Sequence, residues 1–129
     1  MIPLNSIYTI QLGKWRLAKK REIEMLDITA KSGEQAFAPD FETVMRYKKG
    51  LVSETEYTEL YTIRMRASLR TYPEVWASLL TKSAIAFACY CPADCYCHRL
   101  LFVTMYQKYA HSKGFTVVYR GELRDTSVS

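Results

Sequence analysis

The sequence predicts a single α/β domain in which helices cover both faces of a small parallel or mixed sheet. Residues 85–88 form a short continuous apolar run, which predicts a strand buried on both faces, and residues 7–10 are rich in the β-branched and aromatic residues of strands. Segments with helix-start signals lie between them, so strands alternate with helices along the chain. The chain has 129 residues, of which 49% are hydrophobic, and this suffices for one core. We expect the domain to span residues 1–123, followed by a frayed tail at 124–129.

Two strand candidates lie in the first part of the chain. Residues 7–10 read Ile-Tyr-Thr-Ile, and residues 25–29 read Met-Leu-Asp-Ile-Thr. Between them, residues 14–21 interleave lysines and arginines with Trp15. This basic stretch fits a nucleic-acid contact, and it fits equally well a solvated connection with Trp15 turned inward.

Helix-start signals follow in the middle of the chain. Asp40 is a candidate N-cap, and residues 53–56, Ser-Glu-Thr-Glu, form a capping box that predicts a long helix to about Arg70. Pro73 fits the first turn of a further helix. After the strand at 85–88, a helix is expected, and a last strand is predicted at 115–119. The inner face of that helix would carry Phe102, Met105, Tyr106 and Tyr109.

All four cysteines lie in one turn between the predicted strand at 85–88 and the helix after it. In open α/β sheets, ligands bind at the carboxyl ends of the strands. A helix N-terminus also favours anions and thiolates. We therefore expect the functional site in this turn. Its chemically active side chains are Cys89, Cys91, Cys95, Cys97, His98 and Arg99.

One interpretation of the turn is catalytic. Cys97 or Cys89 would act as a thiolate, and Arg99 would bind a phosphate or carboxylate. Neighbouring residues of a helix do not face each other, so His98 is not automatically a base for Cys97 and could instead pair with a carboxylate such as Asp27 or Glu122. The spacing does not match the Cys-x5-Arg loop of phosphatases.

Two other interpretations of the turn stay open. Cys89, Cys91, Cys95 and Cys97 offer enough sulfur ligands for a tetrahedral zinc site, although zinc sites commonly use two pairs separated by a longer loop. Alternatively, the thiols form a buried cluster while His98 and Arg99 fix loop carbonyls.

Further candidates lie outside the turn. Asp27 stands inside a predicted strand, where a carboxylate serves either as a functional acid or as an acceptor for loop N–H groups. Tyr57, Tyr61 and Arg64 share one face of the predicted long helix and could line a site for a phosphate or a base. Tyrosines at this spacing more often pack in a core.

The charge and hydropathy of the chain limit its partners. The formal net charge of +5 favours an anionic ligand, a nucleotide or a nucleic acid without requiring one. No apolar run is long enough to span a bilayer, and no signal peptide is recognisable, so we expect no membrane partner and a cytoplasmic location. In a viral protein this would be the host cytoplasm.

The order of these motifs resembles the family called domain of unknown function 488, in particular its shorter branch in bacteria and bacteriophages. The resemblance covers most of the chain. It lies in Ile7-Tyr8-Thr9, in Leu26-Asp27-Ile28-Thr29, in the Cys-x-Cys-x5-Cys-His-Arg pattern of residues 89–99, and in Gly121-Glu122. It implies an α/β domain with a polar site around the turn. Cys91 stands where the broader family has an acid, and Cys95 is additional, which favours metal or redox chemistry here.

Our leading hypothesis is an enzyme or enzyme-derived domain that acts on a nucleotide or nucleic acid through the turn. On this hypothesis, substituting Cys97 or Arg99 should abolish function without lowering thermal stability. The alternative is a binding or regulatory protein whose cysteine turn is structural, and a viral factor that binds DNA or a host protein would be one example. A zinc-stabilised turn is compatible with either hypothesis.

Overall fold

Four parallel strands form the centre of the structure, a computed structural model that describes residues 4–90 and 98–124. In chain order they are β1 (Leu4–Gln11), β2 (Glu24–Asp27), β3 (Ala84–Cys89) and β4 (Thr116–Leu123). They lie in the sheet in the order β2-β3-β1-β4, and each neighbouring pair is parallel. The predicted α/β class is confirmed, with a parallel sheet.

Helices connect all of these strands. A 3-10 turn (Leu12–Lys14) and α1 (Trp15–Lys20) join β1 to β2. Three helices join β2 to β3, and α5 (His98–Ser112) precedes β4. The three are α2 (Phe41–Lys48), α3 (Glu54–Thr71) and α4 (Pro73–Leu79).

The direction of the connections decides which face each helix covers. The connection from β1 to β2 crosses the sheet in one direction, and the connections from β2 to β3 and from β3 to β4 cross it in the other. Because such crossovers are right-handed, opposite directions place helices on opposite faces. In β3, Ile85 and Phe87 pack in the core under α3, α4 and α5, whereas Ala86 and Ala88 pack with Ala18 of α1. The predicted cover on both faces is confirmed.

The predicted helix boundaries hold because short-range capping sets them. Ser53 Oγ accepts a hydrogen bond from the N–H of Glu56, while the Glu56 carboxylate accepts one from the N–H of Ser53. Asp40 accepts a hydrogen bond from the N–H of Thr43 and so caps α2. Pro73 is the first residue of α4, where a missing N–H costs nothing.

The basic stretch contains a helix with an outward tryptophan. Residues 14–21 were open to two interpretations, and the one with Trp15 turned inward is wrong, because Trp15 is 41% exposed. The small Ala18 takes the buried position of α1 instead. The cationic side of α1 therefore remains at the surface with its tryptophan.

A buried polar contact fixes β1 beneath α5. Tyr106 donates its hydroxyl hydrogen to Asn5 Oδ1 at 2.7 Å, and Asn5 Nδ2 donates to the carbonyl of Lys82 before β3. Burial raises the pKa of Tyr106 well above its usual value, and the neighbouring Tyr109 adds to the shift. The hydroxyl therefore stays protonated as a donor.

β4 carries an irregularity near its end. Ile7 pairs with Tyr119, but Thr9 pairs with Glu122, so a step of two residues in β1 faces a step of three in β4. Gly121 has a φ of +100°, which favours glycine. This β-bulge carries β4 to Leu123, beyond the predicted end at residue 119.

None of the helices within residues 4–90 and 98–124 has both the length and the apolarity that crossing a bilayer requires.

Candidate functional site

Three side chains that the sequence singled out meet at the carboxyl edge of the sheet. Cys89 ends β3, Arg99 lies in the first turn of α5, and Glu122 lies near the end of β4. The Arg99 Nε donates to Oε1 of Glu122 and its Nη2 donates to Oε2, both at 3.2 Å. The Arg99 Nη1 donates to Cys89 Sγ at 2.6 Å. We call these three residues the Arg99 cluster.

The Arg99 cluster is buried. The side chain of Arg99 is 0% exposed and that of Glu122 is 10% exposed, while Cys89 is also buried. A guanidinium in such a place needs a charged partner, and the fork-to-fork contact with Glu122 supplies one. Its Nη1 also donates to Cys89 Sγ, so one guanidinium joins the end of β3 to the end of β4.

The Arg99 cluster lies where the connections after two neighbouring strands leave the sheet on opposite faces. β1 and β3 are neighbours, and Gln11 at the end of β1 pairs with Cys89. The chain leaves β1 towards α1 on one face and leaves β3 towards α5 on the other. Such a point opens a crevice above the sheet in which α/β proteins bind ligands.

His98 joins the start of α5 to the segment after β2. Its Nε2 lies 2.7 Å from the carbonyl oxygen of Ile28, and its ring centroid lies 5.6 Å from that of Tyr61. The two carboxylates considered as partners of His98 bind elsewhere: Glu122 to Arg99, and Asp27 within its own loop. His98 thus orients α5 through a backbone carbonyl.

Asp27 lies at the same edge and organises the loop after β2. Its Oδ1 accepts the N–H of Thr29 and its Oδ2 accepts the hydroxyl of Ser32, both at 2.8 Å. Ser32 Oγ also lies 3.3 Å from the hydroxyl of Tyr90, the residue after Cys89. Of its two predicted roles, Asp27 shows the geometry of a loop acceptor, and the loop reaches the end of β3.

Gly33 gives a test of this loop. A Cβ at Gly33 would lie 2.6 Å from the carbonyl oxygen of Asp27 and closer still to the N of Thr29, so backbone must move to admit it. We expect Gly33→Ala to lower the free energy of unfolding by about 1–3 kcal/mol, measured by urea denaturation. Gly13→Ala is the matched control, because nothing lies within 4 Å of its Cβ position. Equal effects of the two substitutions would contradict the close packing of the loop.

The candidates on α3 occupy different surroundings. Tyr61 lies beside His98, and its hydroxyl donates to the carbonyl of Phe37 at 2.7 Å. Arg64 donates from Nε to the carbonyl of Ala38 at 2.7 Å. Tyr57 is buried against Tyr47, with ring centroids 4.8 Å apart. Of the three, Tyr61 is thus brought against a residue of the cysteine turn, while Arg64 holds the segment before α2.

Cys91, Cys95 and Cys97, for which the sequence predicts catalytic or metal-binding roles, lie outside the described residues. Within residues 4–90 and 98–124, no group of three or more histidine, cysteine, aspartate or glutamate side chains is placed to hold a metal ion. The proposed zinc ligand set includes three cysteines beyond that part of the chain. The zinc hypothesis therefore stays a prediction.

Thr9 is a polar residue near the cluster that the sequence reasoning did not single out. It is buried and pairs in register with Phe87 on one side and with Glu122 on the other. Its Oγ1 lies 2.7 Å from the hydroxyl of Tyr119. The sequence feature that could have identified Thr9 is its position as a polar residue inside a predicted strand.

Comparison with known proteins adds no relative. No protein-family model matches the chain, and neither the curated proteins nor the solved structures give a significant match. The resemblance to domain of unknown function 488 thus stays a prediction.

Proposed function

We propose that this protein is an enzyme or enzyme-derived domain that acts on a nucleotide or another anionic ligand of that class. The site would be the cysteine turn at the carboxyl edge of the sheet. The observation that supports this proposal is the position of the Arg99 cluster, where the connections of β1 and β3 leave to opposite faces. The predicted family resemblance agrees with a polar site at this place.

The energetics of the Arg99 cluster favour a role beyond packing. Removing a guanidinium and a carboxylate from water costs several kcal/mol each, and apolar residues of similar volume often stabilise a core as well or better. A buried Arg–Glu pair therefore stabilises the core no better than apolar side chains of the same volume often would. Its presence where ligands bind in α/β sheets favours a functional site.

The proposed roles follow from the contacts. Glu122 fixes the plane of the Arg99 guanidinium, and Arg99 in turn holds Cys89 Sγ, so all three act as positioning residues. His98 and Asp27 fix the start of α5 and the neighbouring loop. Cys97, which directly precedes α5, is the proposed catalytic thiolate.

Nucleotide binding and turnover test this proposal. We would titrate nucleoside mono-, di- and triphosphates into reduced protein by calorimetry and follow phosphate release and thermal unfolding. We expect one class to bind and Cys97→Ala to abolish turnover at an unchanged melting temperature. Arg66→Ala, on the exposed surface of α3, is the control and should leave both unchanged.

Two outcomes would overturn the proposal. The first is no heat and no thermal shift with any nucleotide at millimolar concentration. The second is one zinc per chain together with cysteines protected from alkylation, because such a metal site would make Cys97 a structural ligand.

A further inference from the structure

A second surface of the protein combines cations with an exposed aromatic ring. It lies on α1 and its flanks, and residues 14–21 include five cations and no acidic residue. All of its side chains are exposed. We call it the basic-Trp surface, and it consists of Lys14, Trp15, Arg16, Lys19, Lys20 and Arg21.

The tryptophan of this surface is surrounded by its own cations. Arg16 Cζ lies 4.7 Å from the ring centroid of Trp15, and Lys19 Nζ lies 5.9 Å from it. On the other side of α1, Ala18 is buried and Leu17 is half-buried against the sheet. The apolar side of α1 therefore packs against the core, and its other side exposes cations and the Trp15 ring to solvent.

We propose that the basic-Trp surface binds single-stranded nucleic acid. Proteins bind unpaired strands by placing cations along the phosphates and aromatic rings against the bases, and both kinds of group are present here. An exposed ring gains little from a duplex, because paired bases are already stacked on each other. A membrane-surface helix needs a free apolar face, and α1 has already buried its own.

The position of the basic-Trp surface would place a bound nucleic-acid strand near the carboxyl edge of the sheet. The three-residue turn Leu12–Lys14 alone separates the end of β1 from Trp15, and Gln11 at that end pairs with Cys89. A nucleic-acid strand bound along α1 would therefore begin close to the carboxyl ends of β1 and β3. The inference does not rest on the activity proposed for the cysteine turn, since it uses none of the residues of that site.

The test is fluorescence anisotropy of a labelled oligothymidylate over a series of salt concentrations. We expect binding at low salt that weakens steeply as salt rises. Trp15→Ala should weaken it about 5- to 150-fold, and Trp15→Phe should retain most of it, because a phenyl ring still stacks. Lys19→Ala with Lys20→Ala should reduce the slope of log affinity against log salt by about 1.4.

A matched control separates the surface from net charge. Lys48→Ala with Lys49→Ala removes the same charge from the exposed end of α2 and should leave the slope unchanged. The proposal is overturned by no binding at low salt, by equal effects of the two double substitutions, or by duplex binding as tight as single-strand binding. Binding to phosphatidylserine vesicles without binding to the oligonucleotide would also overturn it. Mononucleotide binding at the cysteine turn is measured separately, so either proposal can fail alone.

Discussion

Arg99→Ala should lower the free energy of unfolding by about 3–5 kcal/mol. The substitution leaves the nearly buried Glu122 carboxylate without the guanidinium that binds both of its oxygens, and it opens a cavity beside Cys89. Urea denaturation followed by circular dichroism at neutral pH measures the loss. The burial of Arg99 thus changes the expectation drawn from the sequence, in which this substitution spared stability.

A double substitution separates the ion pair from the space that it fills. Arg99→Met combined with Glu122→Leu removes both charges while keeping most of the volume, and it should recover most of the stability lost in Arg99→Ala. The recovered fold then allows ligand binding to be measured without the ion pair. An unchanged urea midpoint in Arg99→Ala would show that Arg99 is not buried in an ion pair.

Trp76→Ala should have a comparable effect, about 3–5 kcal/mol. Trp76 is 0% exposed and contacts Phe37 and Phe102, with ring centroids 5.3 Å away in both cases. Its Nε1 also donates to Ser68 Oγ at 3.0 Å inside the core. The substitution therefore removes a large apolar volume together with a buried hydrogen bond. Guanidinium or urea denaturation measures the loss.

The other tryptophan of the chain is the matched control. Trp15→Ala removes the same side chain from an exposed position and should change the stability by no more than about 0.5 kcal/mol. Similar losses in the two variants would contradict the assignment of Trp76 to the core and Trp15 to the surface. The Trp15→Ala and Trp76→Ala variants also identify which tryptophan changes its fluorescence when an oligonucleotide binds.

Local signals predicted most of the helices and strands. The capping box at Ser53, the N-cap at Asp40 and the proline at residue 73 act through neighbours a few residues away, so the sequence reveals them directly. The run at 85–88 was correctly predicted as a strand buried on both faces, because it lacks polar residues altogether.

What the sequence did not predict depends on distant contacts. Nothing near Arg99 in the chain shows that Glu122 will bind it, since that contact needs the strand order β3-β1-β4. A carboxylate and a loop carbonyl were both considered as partners of His98, and the fold brings the carbonyl of Ile28 to it. Trp15 faces outward because α1 is short and its one fully buried position falls on Ala18. Burial of a short helix is decided by which residue meets the sheet.

The bulge in β4 decides on which side of the sheet the carboxylate stands. Side chains of a regular strand alternate between the two faces, so if residues 119–122 paired with β1 without a bulge, Gly121 would face α5 and Glu122 would point towards α1. With the residues that β4 contains, the partner of Arg99 therefore depends on the bulge. Deleting one residue between Tyr119 and Glu122 would remove the bulge and leave the acid opposite Thr9 on its present face, because two steps in β4 would then match two steps in β1. In the history of such a domain, a codon inserted into this strand would reverse the facing of every later side chain, and a bulge at the insertion absorbs the additional residue and keeps the ion pair.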